Sequence, residues 1–102
     1  MEKTQSRWWV YLIRNRNNAL YCGITTDVQR RFQQHVRGIG AKALKGKGPL
    51  SLEWHAYVGE SRSDALKVEW KIKQLTKAKK EQLIKNEALL SILETKTRSN
   101  SQ

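Results

Sequence analysis

Two short blocks of aromatic and β-branched residues open the chain, Trp8-Trp9-Val10-Tyr11-Leu12-Ile13 and Leu20-Tyr21-Cys22-Gly23-Ile24, with the polar stretch Arg14-Asn15-Arg16-Asn17-Asn18-Ala19 between them. Strand-forming residues on either side of an Asn-rich connector predict a β-hairpin. With the turn centred near Arg16, Tyr11 faces Tyr21 across the two strands, and a bulge would shift that register by one. Thr26-Asp27-Val28-Gln29 then has the capping-box pattern, with Asp27 at the positive helix end, and predicts a helix to about Val36. Val28, Arg31, Phe32 and His35 recur at helical spacing, so Arg31 and His35 share the apolar stripe while Arg30 points elsewhere.

Gly38-Ile39-Gly40 ends that helix, and the loop from Arg37 to Pro49 holds Lys42, Lys45 and Lys47 among four glycines and no acid. Leu52, Trp54, Ala56 and Val58 alternate with Glu53, His55 and Tyr57, which predicts a third strand over Leu50 to Val58. Ser63 or Asp64 is the expected cap of a helix from Ala65 to Leu75. A Thr76-anchored helix follows from Lys77 to about Ile84, then a short one near Glu87 to Leu93. The expected organisation is one α+β domain over residues 1–94, an antiparallel sheet with helices on its faces, and a disordered tail over residues 95–102.

At 102 residues the chain can bury about two-thirds of the surface its unfolded form exposes, enough for one ordinary core and too little for a multi-domain enzyme. Its single cysteine, Cys22, can form no internal bridge, and with only His35 and His55 beside it there is no Cys/His set for a structural zinc. The longest apolar run, Trp8 to Ile13, is far too short to span a membrane, and Met1 to Arg7 lacks a signal-peptide centre. A reducing, cytoplasmic setting is expected. Charge adds a partner: 20 Lys+Arg against 9 Asp+Glu give a net charge of +11, an imbalance that points to a polyanion, foremost nucleic acid, over a merely basic solvated surface. No membrane-binding amphipathic helix is visible.

Glu69 is the most informative candidate for chemistry. On a helical wheel it falls between Ala65 and Leu66, inside the arc that Val68, Ile72 and Leu75 complete, whereas Lys67, Lys71 and Lys73 lie at its edges. A carboxylate there calls for a buried cationic partner such as Arg31, for a metal or catalytic role, or for a different register that exposes it. Tyr11, Tyr21, Arg31 and His35 are each ordinary packing residues when taken singly. Together with Glu69 they form the set that phosphodiester cleavage needs: a general base, a cationic clamp on the phosphoryl oxygens and a hard metal ligand. Cys22 alternates away from Tyr21 as a small buried hydrophobe. Gly38-Ile39-Gly40 follows a helix and not a strand, and Gly46-Lys47-Gly48 has no Ser or Thr after its lysine, so no nucleotide cofactor is implied.

In this order the residues resemble the GIY-YIG nuclease family. Trp9-Val10-Tyr11 stands where GIY would, Tyr21-Cys22-Gly23 where YIG would, the segment from Gly23 through Arg31 to His35 is similar to the family's arginine helix, and Ala65-Leu66-Lys67-Val68-Glu69 to its glutamate segment. The match runs from about Trp8 to Ile84 and resembles the small stand-alone bacterial proteins of the YhbQ/YazA type. The resemblance implies a three-stranded antiparallel sheet flanked by helices and a divalent-metal-dependent endonuclease acting on DNA. It further implies that Tyr11 and Tyr21 are the phenol pair supplying the base, with Tyr11 favoured, that Arg31 stabilises phosphoryl charge, that His35 assists proton transfer or positioning, and that Glu69 holds Mg²⁺ or Mn²⁺. Gly23 lets backbone come close beside the phenols. Trp9 and Cys22 depart from the family name at non-chemical positions, while Ile24 stands where several members carry a lysine after the YIG glycine.

The leading expectation is therefore a Mg²⁺- or Mn²⁺-dependent DNA endonuclease serving repair or recombination, with branched, flapped or single-stranded DNA as substrate and RNA as a second nucleic acid. Arg30, Arg37, Lys42, Lys45, Lys47, Lys71, Lys73, Lys77 and Lys80 are the expected nucleic-acid contacts. Two other classes stand beside it: a non-catalytic nucleic-acid-binding module of the same fold, and a basic adaptor for an acidic protein. Sequence names no specific protein partner.

Overall fold

The computed structural model describes residues 7–86. Strands β1 (Trp8–Arg14), β2 (Leu20–Thr25) and β3 (Ser51–Gly59) form one antiparallel sheet in the order β2-β1-β3, joined by helices α1 (Val28–Val36), α2 (Arg62–Lys73) and α3 (Lys77–Lys85). This is the expected three-stranded α+β architecture. The expected helix near Glu87 to Leu93 and the tail over 95–102 lie outside the described residues.

Because β1 is the central strand and both sheet faces are covered, it needs apolar side chains on both sides, which is why it reads as an unbroken run. Val10 and Leu12 pack with Cys22, Trp54, Ala56, Val68, Ile72 and Leu83 on the face that α2 and α3 cover. Tyr11 and Ile13 pack on the other face with Leu44, Tyr21, Phe32 and Leu50. The sheet thus divides the molecule into a side where aliphatic residues pack around Trp54 and a side holding both candidate phenols.

Four expectations need correction. The hairpin turn is centred on Asn17: Asn15 Oδ1 accepts from the amides of Asn17 (2.8 Å) and Ala19 (3.1 Å), and Asn18 takes the left-handed conformation at φ 67°, which asparagine tolerates. The register therefore sets Tyr11 opposite Gly23 and Tyr21 opposite Ile13. A slip of two, unlike a slip of one, leaves both phenols on the same face. Helix α1 is capped by Asp27 and not Thr26, its carboxylate accepting from the Arg30 amide at 3.0 Å. Helix α2 starts earlier than expected, at a Ser61 cap that accepts from the Asp64 amide at 3.0 Å, and ends at Lys73. Its buried stripe is Ala65, Val68 and Ile72, while Leu66 is 39% exposed.

One ion-pair network locks the far end of the sheet. The pairing of β1 with β3 skips Glu53 between Leu12↔Trp54 and Ile13↔Leu52, and this bulge places Glu53 beside Arg14. Arg14 also grips Glu81 of α3 with both terminal guanidinium nitrogens, at 2.6 and 2.9 Å, and Lys77 reaches the same carboxylate at 2.6 Å. Arg14 first and Lys77 second pull the Glu81 carboxyl down to about 2. A carboxyl depressed on folding adds stability above its unfolded value of 4.5 and loses it as pH falls toward the folded one. The melting temperature is accordingly expected to fall between about pH 5 and pH 2. Glu81→Gln is expected to lower it at pH 7 and to flatten that acid limb, as thermal denaturation followed by circular dichroism at each pH will show.

Candidate active site

The side of the sheet facing α1 brings three of the expected residues into one aromatic cluster. The rings of Tyr11 and Tyr21 lie 6.4 Å apart between centroids, and the His35 ring lies 5.8 Å from the first and 5.7 Å from the second. Tyr11 is a central-strand residue and only 2% exposed; His35, on the inward face of α1, is equally buried. Their polar tips meet in a 2.9 Å hydrogen bond between the Tyr11 hydroxyl and His35 Nε2. The other imidazole nitrogen, Nδ1, accepts from the Ala41 amide at 3.2 Å. An Nδ1 lone pair places the proton of the neutral ring on Nε2, so His35 donates to the Tyr11 oxygen.

Two glycines make room for this pair. A Cβ on Gly23 would lie 2.4 Å from the Tyr11 hydroxyl oxygen, and one on Gly40 would lie 2.3 Å from His35 Nδ1. Gly23 was expected beside the phenols. Gly40 was not: expected only as part of the helix stop and of a failed dinucleotide fingerprint, it seats the histidine.

Burial sets the electrostatics. It pushes the Tyr11 hydroxyl up to about 12, against which the Arg31 guanidinium acts in the opposite direction. Burial first and Arg31 second lower the His35 pKa, so this imidazole is neutral at pH 7. Arg31 is half-buried and donates to Gln34 Oε1 at 2.8 Å. It also lines a cleft of about 280 Å³ together with Arg30, Arg62, Thr25, Thr26 and Gln34. Three guanidiniums around one cleft suit a phosphate group. Arg30 thus joins Arg31 although it leaves the buried stripe. Arg62 escaped sequence analysis because α2 was expected to begin after it; a cation in a first helical turn, where acids are favoured, was the available signal.

Glu69 stands apart from these groups. It is 17% exposed, and its ionic partner is Lys73 at 3.3 Å, one turn along α2, where Arg31 was the partner considered from sequence. Its charge is felt at Cys22, whose thiol is pushed up to about 12 by burial and, secondarily, by Glu69. Cys22 follows Tyr21 on edge strand β2 and points to the opposite face. Glu69 and the phenols therefore flank the same sheet edge from two sides. Among the described residues no three His, Cys, Asp or Glu side chains cluster to hold a metal. The single Glu69 carboxylate fits only a hard cation that keeps most of its waters and takes further oxygens from a substrate.

The expected basic contacts are dispersed. Lys42 opens a short 3₁₀ turn (Lys42–Leu44), Lys45 follows it exposed, Lys47 is half-buried and Arg37 closes α1. Lys71 and Lys80 are half-buried on α2 and α3, whereas Lys73 and Lys77 are engaged with Glu69 and Glu81. Close approach at Gly23 yields a direct test. Gly23→Ala is expected to lower stability by about 1–3 kcal/mol in urea denaturation, since the strand must move off Tyr11. Gly48→Ala, whose Cβ would meet nothing nearer than the Leu50 amide at 3.8 Å, is expected to change it little.

Residues 7–82 match the GIY-YIG catalytic domain. The UPF0213 protein YhbQ of Salmonella typhimurium is 57% identical over 97 residues, covering 91% of this chain and 96% of its own. A UPF0213 protein of Vibrio campbellii is 58% identical over 91 residues, covering 89% and 86%. Among solved structures, the solution structure of EF2693 from E. faecalis is similar with a TM-score of 0.56 at 32% identity, covering 87% of this chain and 93% of that one. That of the UPF0213 protein BH0048 from Bacillus halodurans has a TM-score of 0.50 at 37% identity, covering 78% and 83%. Sequence matches across nearly the whole chain, and a sheet that sets both tyrosines beside the helix histidine, lead to one conclusion: the chain belongs to the GIY-YIG nuclease family.

Proposed function

We propose that the chain is a Mg²⁺- or Mn²⁺-dependent endonuclease that hydrolyses phosphodiesters in branched, flapped or single-stranded DNA, acting in the cytoplasm in repair or recombination. The observation that carries this reading is the cleft of three arginines sharing Arg31 with the Tyr11–Tyr21–His35 cluster. Family membership supports a nucleic-acid substrate, as does the net charge of +11. No helix among the described residues is long and apolar enough to cross a membrane.

In this mechanism Arg30, Arg31 and Arg62 hold the phosphate and neutralise charge that grows on its oxygens. Tyr21, half-buried on the edge strand, is the phenol that incoming water can reach. As phenolate it takes that water's proton while the water oxygen bonds to phosphorus and the P–O bond to the leaving sugar oxygen breaks, and the proton then passes to that sugar oxygen. Burial argues against Tyr11, the phenol favoured from sequence: a hydroxyl pushed up to about 12 is a poor source of phenolate at pH 7. Tyr11 instead positions the site, held by the Nε2–H of neutral His35. Glu69 would hold the divalent cation, whose chemistry is to polarise the phosphoryl group and acidify the attacking water. To do so Glu69 must give up Lys73, a half-exposed partner one turn away on the same helix.

Cleavage of single-stranded and flapped DNA should require Mg²⁺ or Mn²⁺ and be lost in Glu69→Gln with DNA affinity intact. Tyr21→Phe should lower kcat by about 10²- to 10⁴-fold, more than Tyr11→Phe does; the reverse order would return the base to Tyr11. Arg62→Ala should weaken binding to all sequences and make the log–log salt dependence shallower by about 0.7–0.9. Binding without cutting by the wild type, across DNA and RNA forms, would favour a non-catalytic nucleic-acid-binding module.

A further inference from the structure

A second aromatic group lies on the same sheet face as Tyr11 and has no part in the mechanism above. Tyr11 pairs directly with His55 of β3, and Trp9, two residues earlier on β1, pairs with Tyr57. The Trp9 ring meets His55 edge-on at 5.5 Å and Tyr57 edge-on at 5.6 Å, and the Arg7 guanidinium sits 4.4 Å over the Tyr57 ring. None of these rings is in the core: Trp9 is half-buried, His55 is exposed and Tyr57 is 38% exposed. Trp9 and His55 line a hollow of about 270 Å³ together with Thr26, Asp27, Val28 and Gln29. Thr26 also lines the three-arginine cleft, so the hollow and the phosphate site are neighbours across one residue.

An occupant that satisfies both neighbours carries a flat ring with a polar edge on a short tether to a phosphate, which describes a nucleotide. Aromatic walls stack a base of any identity, while the Gln29 amide and Thr26 hydroxyl offer donors and acceptors to its edge. Within a duplex each base face is already covered by its neighbours, so only an unpaired, unstacked base can enter. Resting on the nuclease reading above, we infer that the Trp9–His55 hollow, with Tyr57 supporting the Trp9 ring, is a base-binding subsite that holds an unpaired nucleobase adjoining the phosphate gripped by Arg30, Arg31 and Arg62. The subsite confers the preference for single-stranded or frayed nucleic acid.

Binding measured without divalent metal separates this inference from catalysis. A fluorescent oligothymidylate, an abasic deoxyribose-phosphate chain of equal length and a duplex of equal length are titrated with wild type and with His55→Ala/Tyr57→Ala. Wild type is expected to bind the oligothymidylate at least about tenfold more tightly than the abasic chain or the duplex. The double variant is expected to keep its abasic affinity and lose the preference. A 2-aminopurine in the oligonucleotide should be quenched by wild type and recover in the double variant, or in Trp9→Leu should the double variant fold poorly. Equal wild-type affinity for thymidylate and abasic chains, or a preference unchanged in folded variants, would overturn the subsite. Failure to cleave DNA under any condition would leave these affinities standing and count against the nuclease reading alone.

Discussion

The hydrogen bond between the Tyr11 hydroxyl and His35 Nε2 is the constraint around which the rest of the site is arranged. Two polar side chains taken into the interior must satisfy each other, or each carries the penalty of an unmet hydrogen bond. Meeting that demand requires a phenol on the central strand, an imidazole on the inward face of α1, and backbone thin enough on both sides for the rings to approach. Gly23 on β2 and Gly40 in the loop after α1 supply the thin backbone. The Ala41 amide then occupies Nδ1 and settles which nitrogen holds the proton. Hairpin register, helix placement and loop path all converge on one buried contact.

Around that fixed pair the chemistry is divided by exposure. Tyr11 and His35 are withdrawn from solvent and set geometry; Tyr21 and the arginines stand nearer the surface and can meet a substrate. Arg31 links the two, since its charge acts on both Tyr11 and His35 while its guanidinium lines the cationic cleft. Edge strand β2 is the seam, with the Tyr21 phenol on one face and Cys22, under the influence of Glu69, on the other. A phosphate drawn to that edge would meet groups from both sides of the sheet.

Much of this was legible in the sequence, and the parts that were not share a physical cause. Strand and helix identities followed from apolar periodicity, because β1 is covered on both faces and α1 on one. Tyr11, Tyr21, Arg31 and His35 could be grouped because period-two alternation survives a register error of two residues and the 3.6 period of α1 does not depend on the sheet register. The hairpin register itself missed by two residues, since it depends on the local turn built by Asn15 and the left-handed Asn18. Arg62 was missed because α2 starts three residues before the Ala65 start expected from sequence. The seat that Gly40 provides for His35 is a contact between a loop and a helix, which no periodicity encodes. Glu69 drew attention correctly as an acid on a packed helix face, yet Lys73 and not Arg31 satisfies it, because α1 and α2 cover opposite faces of the sheet.

The protonation of His35 is where this account is most exposed, and ¹⁵N-resolved NMR of the imidazole across the acid range reads it directly. A ring proton on Nε2, a bare Nδ1 and a titration midpoint below the ordinary 6.5 are the expected signature of a buried, neutral histidine donating to Tyr11. A proton on Nδ1, or titration at the ordinary value, would contradict the arrangement on which the rest of the site depends.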